Sequence, residues 1–281
     1  MIRTPDDRKA RTVSREFLRY LPLLPFLLFI VAGIVYTVIQ SFGYRVSALP
    51  GEVYRAGYAE ILASAWFYRS VAYSLFVATV SSALSVCLGT MLALMLRGLP
   101  HKLYPFALVY KVPLILPHVV VGLVVLVGFR HPIVSGRLPA APGSVALITA
   151  YVVKSAPFVT LLVYAVLRSF DVRQLETARM LGAGPLRAFV RLVLPVIRTP
   201  AATASVIVFL YSFGAFDLPF LLGASRPAML AIDVHNRYWY RDLSARPAAM
   251  AALVVMFVFS VAFVIVYFRI VRRQKHGVRH V

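Results

Sequence analysis

Residues able to do chemistry are few in this chain, and they fall in four places. Asp233 and His235 stand two apart in a polar, aromatic run that also holds Asn236, Tyr238, Trp239, Tyr240 and Asp242. A carboxylate beside an imidazole is the minimum for acid–base work or a metal site, although ordinary loop composition produces the same pair. The other five histidines have no carboxylate at a useful spacing. Asp217 and Lys154 interrupt apolar runs, and an ionisable group held in lipid marks either a route for a polar solute or an internal pair. Cys87 is the single cysteine, so no disulfide can form within the chain; its apolar surroundings suggest a small buried hydrophobe. Lastly, Glu176, Ala178, Gly182, Leu192, Leu194 and Pro195 lie at fixed offsets within LETARMLGAGPLRAFVRLVLPVIRTP, residues 175–200. No G-x-x-x-x-G-K-[ST] phosphate loop is present, so no ATPase site of that type is expected. Neither a catalytic set nor a metal-ligand set stands out.

The elements that position these residues must be membrane helices. The chain is 60% hydrophobic and 14% charged, with mean hydropathy +0.81, against about 45–50% apolar and about 25% charged in soluble domains. A formal charge of +20 would suggest nucleic acid in a soluble protein. Here the basic residues fall between apolar runs and no polar region is large enough to fold a reader module, so no nucleic-acid partner is expected. Six runs are long enough to cross a bilayer core, near 20–42, 70–96, 104–129, 144–167, 201–222 and 247–268. The first is too long for a signal peptide and lacks an A-x-A-like site, so it reads as a retained helix. With the N-terminus inside, the inner segments hold 19 Lys and Arg and the outer ones nine, which places both termini in the cytoplasm. The chain then divides into a basic cytoplasmic segment (1–19), a first helix with its outer loop (20–69), a five-helix core (70–268) and a basic cytoplasmic tail (269–281).

Residues 172–200, between the fourth and fifth runs, are cytoplasmic on this reading and too polar to span. A helix over 172–181 would end at Gly182, because Gly readily takes the left-handed conformation that caps a helix. A second helix can start at Pro185. Leu186, Phe189, Val190 and Val193 then share one apolar face, Arg187 and Arg191 share another, and Pro195 closes the helix before the next span. Such a knob suits a groove on a partner protein; resting on anionic lipid is the alternative.

The spacing resembles the cytoplasmic EAA loop of binding-protein-dependent ABC transporter permeases, whose pattern is Glu-Ala-Ala, three residues, Gly, nine residues, Ile-x-Leu-Pro. Here it reads ETA-RML-G-AGPLRAFVR-LVLP, with Thr177 for the middle Ala and Leu192 for Ile. FGAFDLPFLLGASRP, residues 213–227, looks like the end of the fifth span in the polyamine and ferric-iron importer group. The resemblance implies an all-α, polytopic inner-membrane permease with six transmembrane helices and a cytoplasmic coupling helix. It implies a second permease subunit, an extracytoplasmic solute-binding protein, and two ATPase subunits that carry ATP and Mg, with no cofactor on this chain. Glu176, Ala178 and Gly182 would be the motif residues, with Pro185, Leu186, Phe189 and Leu192 in the docking knob and Pro195 at its end. The cargo would be a small polar solute, foremost a polyamine-like cation, with ferric iron or an organophosphonate as alternatives.

Other expectations follow from residue types alone. Asp217, Lys154, Phe213 and Phe216 are candidates for the pathway, with Asp217 drawing in a cation; a cap on a broken helix, or a pair with Lys154, is the competing role. Pro113 and Pro117 should kink the third span and Pro157 the fourth. Asp233, Tyr238 and Trp239 are candidates for contact with a solute-binding protein, or for an interfacial aromatic belt. An ion-coupled secondary transporter would need internal repeats that are not evident, and a lipid-acting enzyme would need clustered His or carboxylates.

Overall fold

The computed structural model describes residues 21–43, 57–100, 102, 108–130, 143–223, 227–241 and 243–277. The basic segment 1–19, residues 44–56 of the first outer loop and residues 278–281 of the tail lie outside the described residues. Every described element is helical: α1 (Leu24–Ser41), α2 (Gly57–Ala63), α3 (Ala65–Gly98), α4 (Val112–Ile115), α5 (His118–Arg130), α6 (Gly143–Leu167), α7 (Arg173–Met180), α8 (Pro185–Ala188), α9 (Leu194–Gly214), α10 (Asp217–Leu222), α11 (Leu230–Trp239) and α12 (Arg246–Gly277). Among the described residues, five helices are long and apolar enough to cross a membrane, or six if the bent pair around Leu116 and Pro117 is one span. The expected third span is thus two helices meeting at 115°, a sharper event than a proline kink. The expected fifth span, 201–222, is also two pieces, since the chain leaves helix at Ala215 and restarts at Asp217.

Two units divide the chain, Met1–Ala63 with Arg237–Val255, and Ser64–Asn236 with Met256–Val281. In the first, α1 exposes Phe26, Leu27, Leu28 and Phe29. The backbone of Gly57 in α2 comes so close to that of Pro247 that no Cβ would fit, and Arg237 reaches Glu60 at 3.8 Å.

The second unit is built on α6, which packs against α3, α4, α5, α9 and α10. Its Leu147, Ala150, Tyr151, Val159, Thr160, Val163 and Leu167 are fully buried. The pattern on α3 is inverted relative to a soluble helix. Ser70, Ser74, Ala78, Ser81, Ser85, Gly89 and Ala93 face inward, while Phe76, Leu84, Leu88, Met91 and Met95 face outward. Lipid tails are as apolar as Leu, so helices in a bilayer associate by close van der Waals packing of small residues. At Gly89 the approach is tightest: a Cβ there would lie 2.6 Å from Cβ of Val159, and Thr160 Oγ1 donates to the Gly89 carbonyl at 3.1 Å. The same inversion corrects the expectation for Cys87, which is exposed because the small-residue stripe occupies the buried face.

Candidate functional site

The segment after α6 is anchored before it turns. Arg97, in the last turn of α3, donates from Nη2 to the Phe170 carbonyl at 2.8 Å and lies 4.9 Å over the Phe170 ring. The Asp171 carboxylate accepts the Arg173 N–H at 3.0 Å and so opens α7. Neither residue belongs to the motif, although an Asp two residues before a helix is a recognisable start signal. Glu176 is exposed in the first turn of α7, where the helix dipole favours a negative charge.

Gly182 has φ +80, as the sequence led us to expect. Its N–H donates to the Arg179 carbonyl and the Ala183 N–H to the Ala178 carbonyl, both at 2.9 Å. This is the paired hydrogen bonding of a Schellman cap, so motif residues Ala178 and Gly182 meet in one turn. A Cβ on Gly182 would meet nothing within 4 Å. Backbone conformation, not space, calls for glycine here.

Pro185 starts α8, but Pro195 does not end it. A π turn, Phe189–Val193, leads directly into α9, and the Leu194 N–H reaches back to the Phe189 carbonyl. The wider ring of a π turn absorbs the register change next to a proline, which has no N–H to give. Residues 185–214 therefore run as one helix. The extra residue in the turn also splits the expected apolar face. Val193 is buried and Phe189 packs against the same core, whereas Leu186 is 75% exposed and Val190 47%. Leu192 is half-buried. Met180, the last residue of α7, and Leu181, its C-cap, are 89% and 82% exposed and join Leu186 as uncovered apolar side chains. Truncating the anchor, Arg97→Ala, is expected to cost the segment about 1 kcal/mol and to speed tryptic cleavage after Arg173 or Arg179 about fivefold in folded protein; unchanged cleavage would show the anchor to be idle.

Lys154 does not pair with Asp217. Its Nζ donates to the carbonyls of Pro113, Leu114 and Leu116 at 2.8, 3.3 and 2.5 Å. Asp217 is the first residue of α10 and exposed. His118, Tyr151 and Tyr211 lie within electrostatic range of it. The His118 and Tyr211 rings are 5.4 Å apart, and those of Tyr151 and Tyr211 6.0 Å. The Tyr151 hydroxyl is buried without a hydrogen-bond partner among the described residues. Phe213 is a packing residue: it is 2% exposed, with Phe259 at 5.0 Å and Phe209 at 6.1 Å. Phe216 stacks on Phe220 at 5.2 Å and meets His235 at 4.7 Å.

The outer run is not a loop over 230–239 but helix α11, whose Leu230, Val234 and Arg237 are buried at helical spacing. The Ser74 hydroxyl accepts the Leu230 N–H at 2.8 Å, and the Ser70 hydroxyl donates to the Asp233 carboxylate. Asp233 therefore turns inward. Tyr238 lies under Arg246, with the guanidinium 4.8 Å above its ring. Trp239 and Tyr240 remain outward, 64% and 75% exposed. Among the described residues, no three His, Cys, Asp or Glu side chains gather as a metal site would require.

A set of membrane-length helices with a capped helical turn ahead of the long helix Pro185–Gly214 has the architecture of a transport permease. The chain belongs to the binding-protein-dependent transport system inner membrane component family, whose model matches residues 85–276. It is 26% identical over 266 residues to the sulfoquinovosyl glycerol transport system permease protein SmoG of Agrobacterium fabrum, covering 87% of this chain and 84% of that one. It is 33% identical over 202 residues to the molybdenum transport system permease protein ModB of Mycobacterium tuberculosis, covering 67% and 73%. The putrescine transport system permease protein PotI of Escherichia coli is 29% identical over 183 residues, covering 60% and 65%. Among solved structures, a bacterial ABC transporter that imports the acidic polysaccharide alginate shares the fold, with TM-score 0.74 at 20% identity over 95% of this chain and 99% of that one.

Proposed function

We propose that this chain is a permease subunit of an ATP-driven importer, coupled to a separate ATPase through residues 172–200 and carrying a small cationic solute of the polyamine type. The observation that supports coupling most is the turn at Gly182, which presents Met180, Leu181 and Leu186 to solution from a segment fastened by Arg97. Exposed apolar side chains on a rigid helical corner suit a groove on a soluble partner. In this reading ATP and Mg belong to two ATPase subunits, a second permease completes the path, a solute-binding protein meets the face bearing Trp239, and both termini are cytoplasmic.

Asp217 supports a cationic cargo. Among the described residues its carboxylate has neither an ion pair nor a hydrogen-bond partner, and aromatic rings lie near it. An anionic cargo would meet the Lys154 ammonium only by drawing it off three carbonyls. The kinship to a putrescine permease agrees with this choice, while relatives named for molybdenum and sulfoquinovosyl glycerol define the competing cargoes.

The test is purification in mild detergent from the native membrane, with mass spectrometry of what accompanies the chain. A phosphate-loop ATPase and a second permease are expected. Recovery of the chain alone, even after gentle cross-linking, would point instead to an ion-coupled transporter. Uptake of labelled putrescine should then fall at least about tenfold in Asp217→Asn at unchanged abundance, a loss equivalent to about 1.4 kcal/mol. Undiminished uptake would remove Asp217 from the pathway.

A further inference from the structure

The bend between α4 and α5 frees main-chain carbonyls, and one side chain collects them. In an unbroken helix the Pro113 carbonyl would accept from the N–H of residue 117, four positions on. Residue 117 is proline and has none. The Leu116 carbonyl would accept from Val120, but the Val120 and Val121 N–H groups both turn to the Pro117 carbonyl, at 3.0 and 3.2 Å. The Leu114 carbonyl lies at the same break. In a bilayer, unpaired carbonyls of this kind are costly, because no water is present to satisfy them.

An ammonium has three N–H donors and no acceptor. Lys154 directs them at Pro113, Leu114 and Leu116. Acceptors equal donors, so no N–H is left over for Asp217 or for a solute. The cation also meets the negative end of the short helix α4, where a positive charge is favoured.

We propose that Lys154 is a positioning residue for translocation: its ammonium acts as the missing cap of the broken third span and holds the 115° bend between α4 and α5. The bend in turn places His118, the first residue of α5, against Tyr211. Lys154 therefore shapes the polar cluster without touching cargo. The proposal is independent of which solute is carried.

The test uses the full chain with its co-purified subunits in lipid nanodiscs. Cys87, the single cysteine, is replaced by alanine, and spin labels are placed at Val109→Cys and Val127→Cys, both exposed. A straight helix would separate these backbone positions by about 27 Å, and the bend reduces this to about 15 Å. With Lys154 present, one short distance is expected. Lys154→Met should broaden the distribution and shift it toward the straight-helix value, and Lys154→Arg, which keeps charged donors, should restore the short distance. An unchanged short distance in Lys154→Met overturns the proposal. Where Lys154→Met accumulates poorly, adding Pro117→Leu supplies the missing N–H and should recover at least about half the parental abundance by giving Pro113 its helical partner. No recovery in that double variant also overturns it.

Discussion

Gly182→Val is expected to lower uptake at least about tenfold while the amount of protein in the membrane stays near that of the parent. At φ +80 an L-residue pays about 1–2 kcal/mol, and a β-branched one fares worse. Nothing lies within 4 Å of where the new Cβ would sit, so the bundle is not overfilled and should still assemble. The strain is relieved by unwinding the turn, which costs the hydrogen bonds from Gly182 to Arg179 and from Ala183 to Ala178. The corner carrying Met180, Leu181 and Leu186 then loses its fixed direction. A graded series sharpens the test. Gly182→Asn, which tolerates the left-handed region, should be mildest. Gly182→Asp should be worse, because it adds a negative charge beside the C-terminus of α7, and Gly182→Val should be worst. Normal uptake by Gly182→Val at normal abundance would mean that the turn has no part in transport.

Gly89→Leu should act on the opposite quantity. A Cβ at 89 would lie 2.6 Å from Val159 Cβ and 2.7 Å from the Ala156 carbonyl oxygen. Backbone cannot yield as a flexible side chain can, so α3 must move off α6 and the Thr160 bond to Gly89 is lost. Overpacking of this kind costs about 1–3 kcal/mol or more, and membrane abundance should fall below about a tenth of the parent. Cys87→Leu, on the outward face of the same helix, is the control and should accumulate normally. Equal abundance of the two variants would contradict the close α3–α6 contact. Uptake per molecule in surviving Gly89→Leu protein is expected to be closer to normal than in Gly182→Val, since one substitution attacks assembly and the other a surface turn.

The unbroken crossings were legible because hydropathy alone defines them: α1, α3, α6 and α12 fall where the apolar runs predicted, with Pro157 inside a continuous α6. The turn at Gly182 was legible because only one residue type adopts its conformation freely. The breaks were legible only in part: Pro113 and Pro117 marked a kink in the third span and Asp217 a broken helix, but the size of the turn was not. A hydrophobic window averages across Leu116 and Pro117, or across Ala215 and Phe216, and the apolar count is the same whether the axis continues or turns. The partners of Lys154 escaped for a related reason, since they are main-chain carbonyls and sequence patterns show only side chains. Helix α11 was hidden by its aromatic and polar composition, although Leu230, Val234 and Arg237 at i, i+4 and i+7 form its buried edge. Phe213 and Phe216 look equivalent in sequence, yet the break between them sends one into the core and leaves the other beside His235.

The uninterrupted run from Pro185 to Gly214 has a mechanical consequence. Thirty residues of helix make a rod about 45 Å long, and the π turn near its first end is where its axis can give. A tilt of about 5° around that end carries the far end sideways by about 4 Å, by the same helical rise. Asp217 begins three residues beyond Gly214, past a joint that does not share the helical hydrogen bonding. If the coupling role holds, this geometry would act as a lever with a loose tip: a small push at Leu186 would be amplified towards Phe213, while the carboxylate beyond the joint could lag behind the arm.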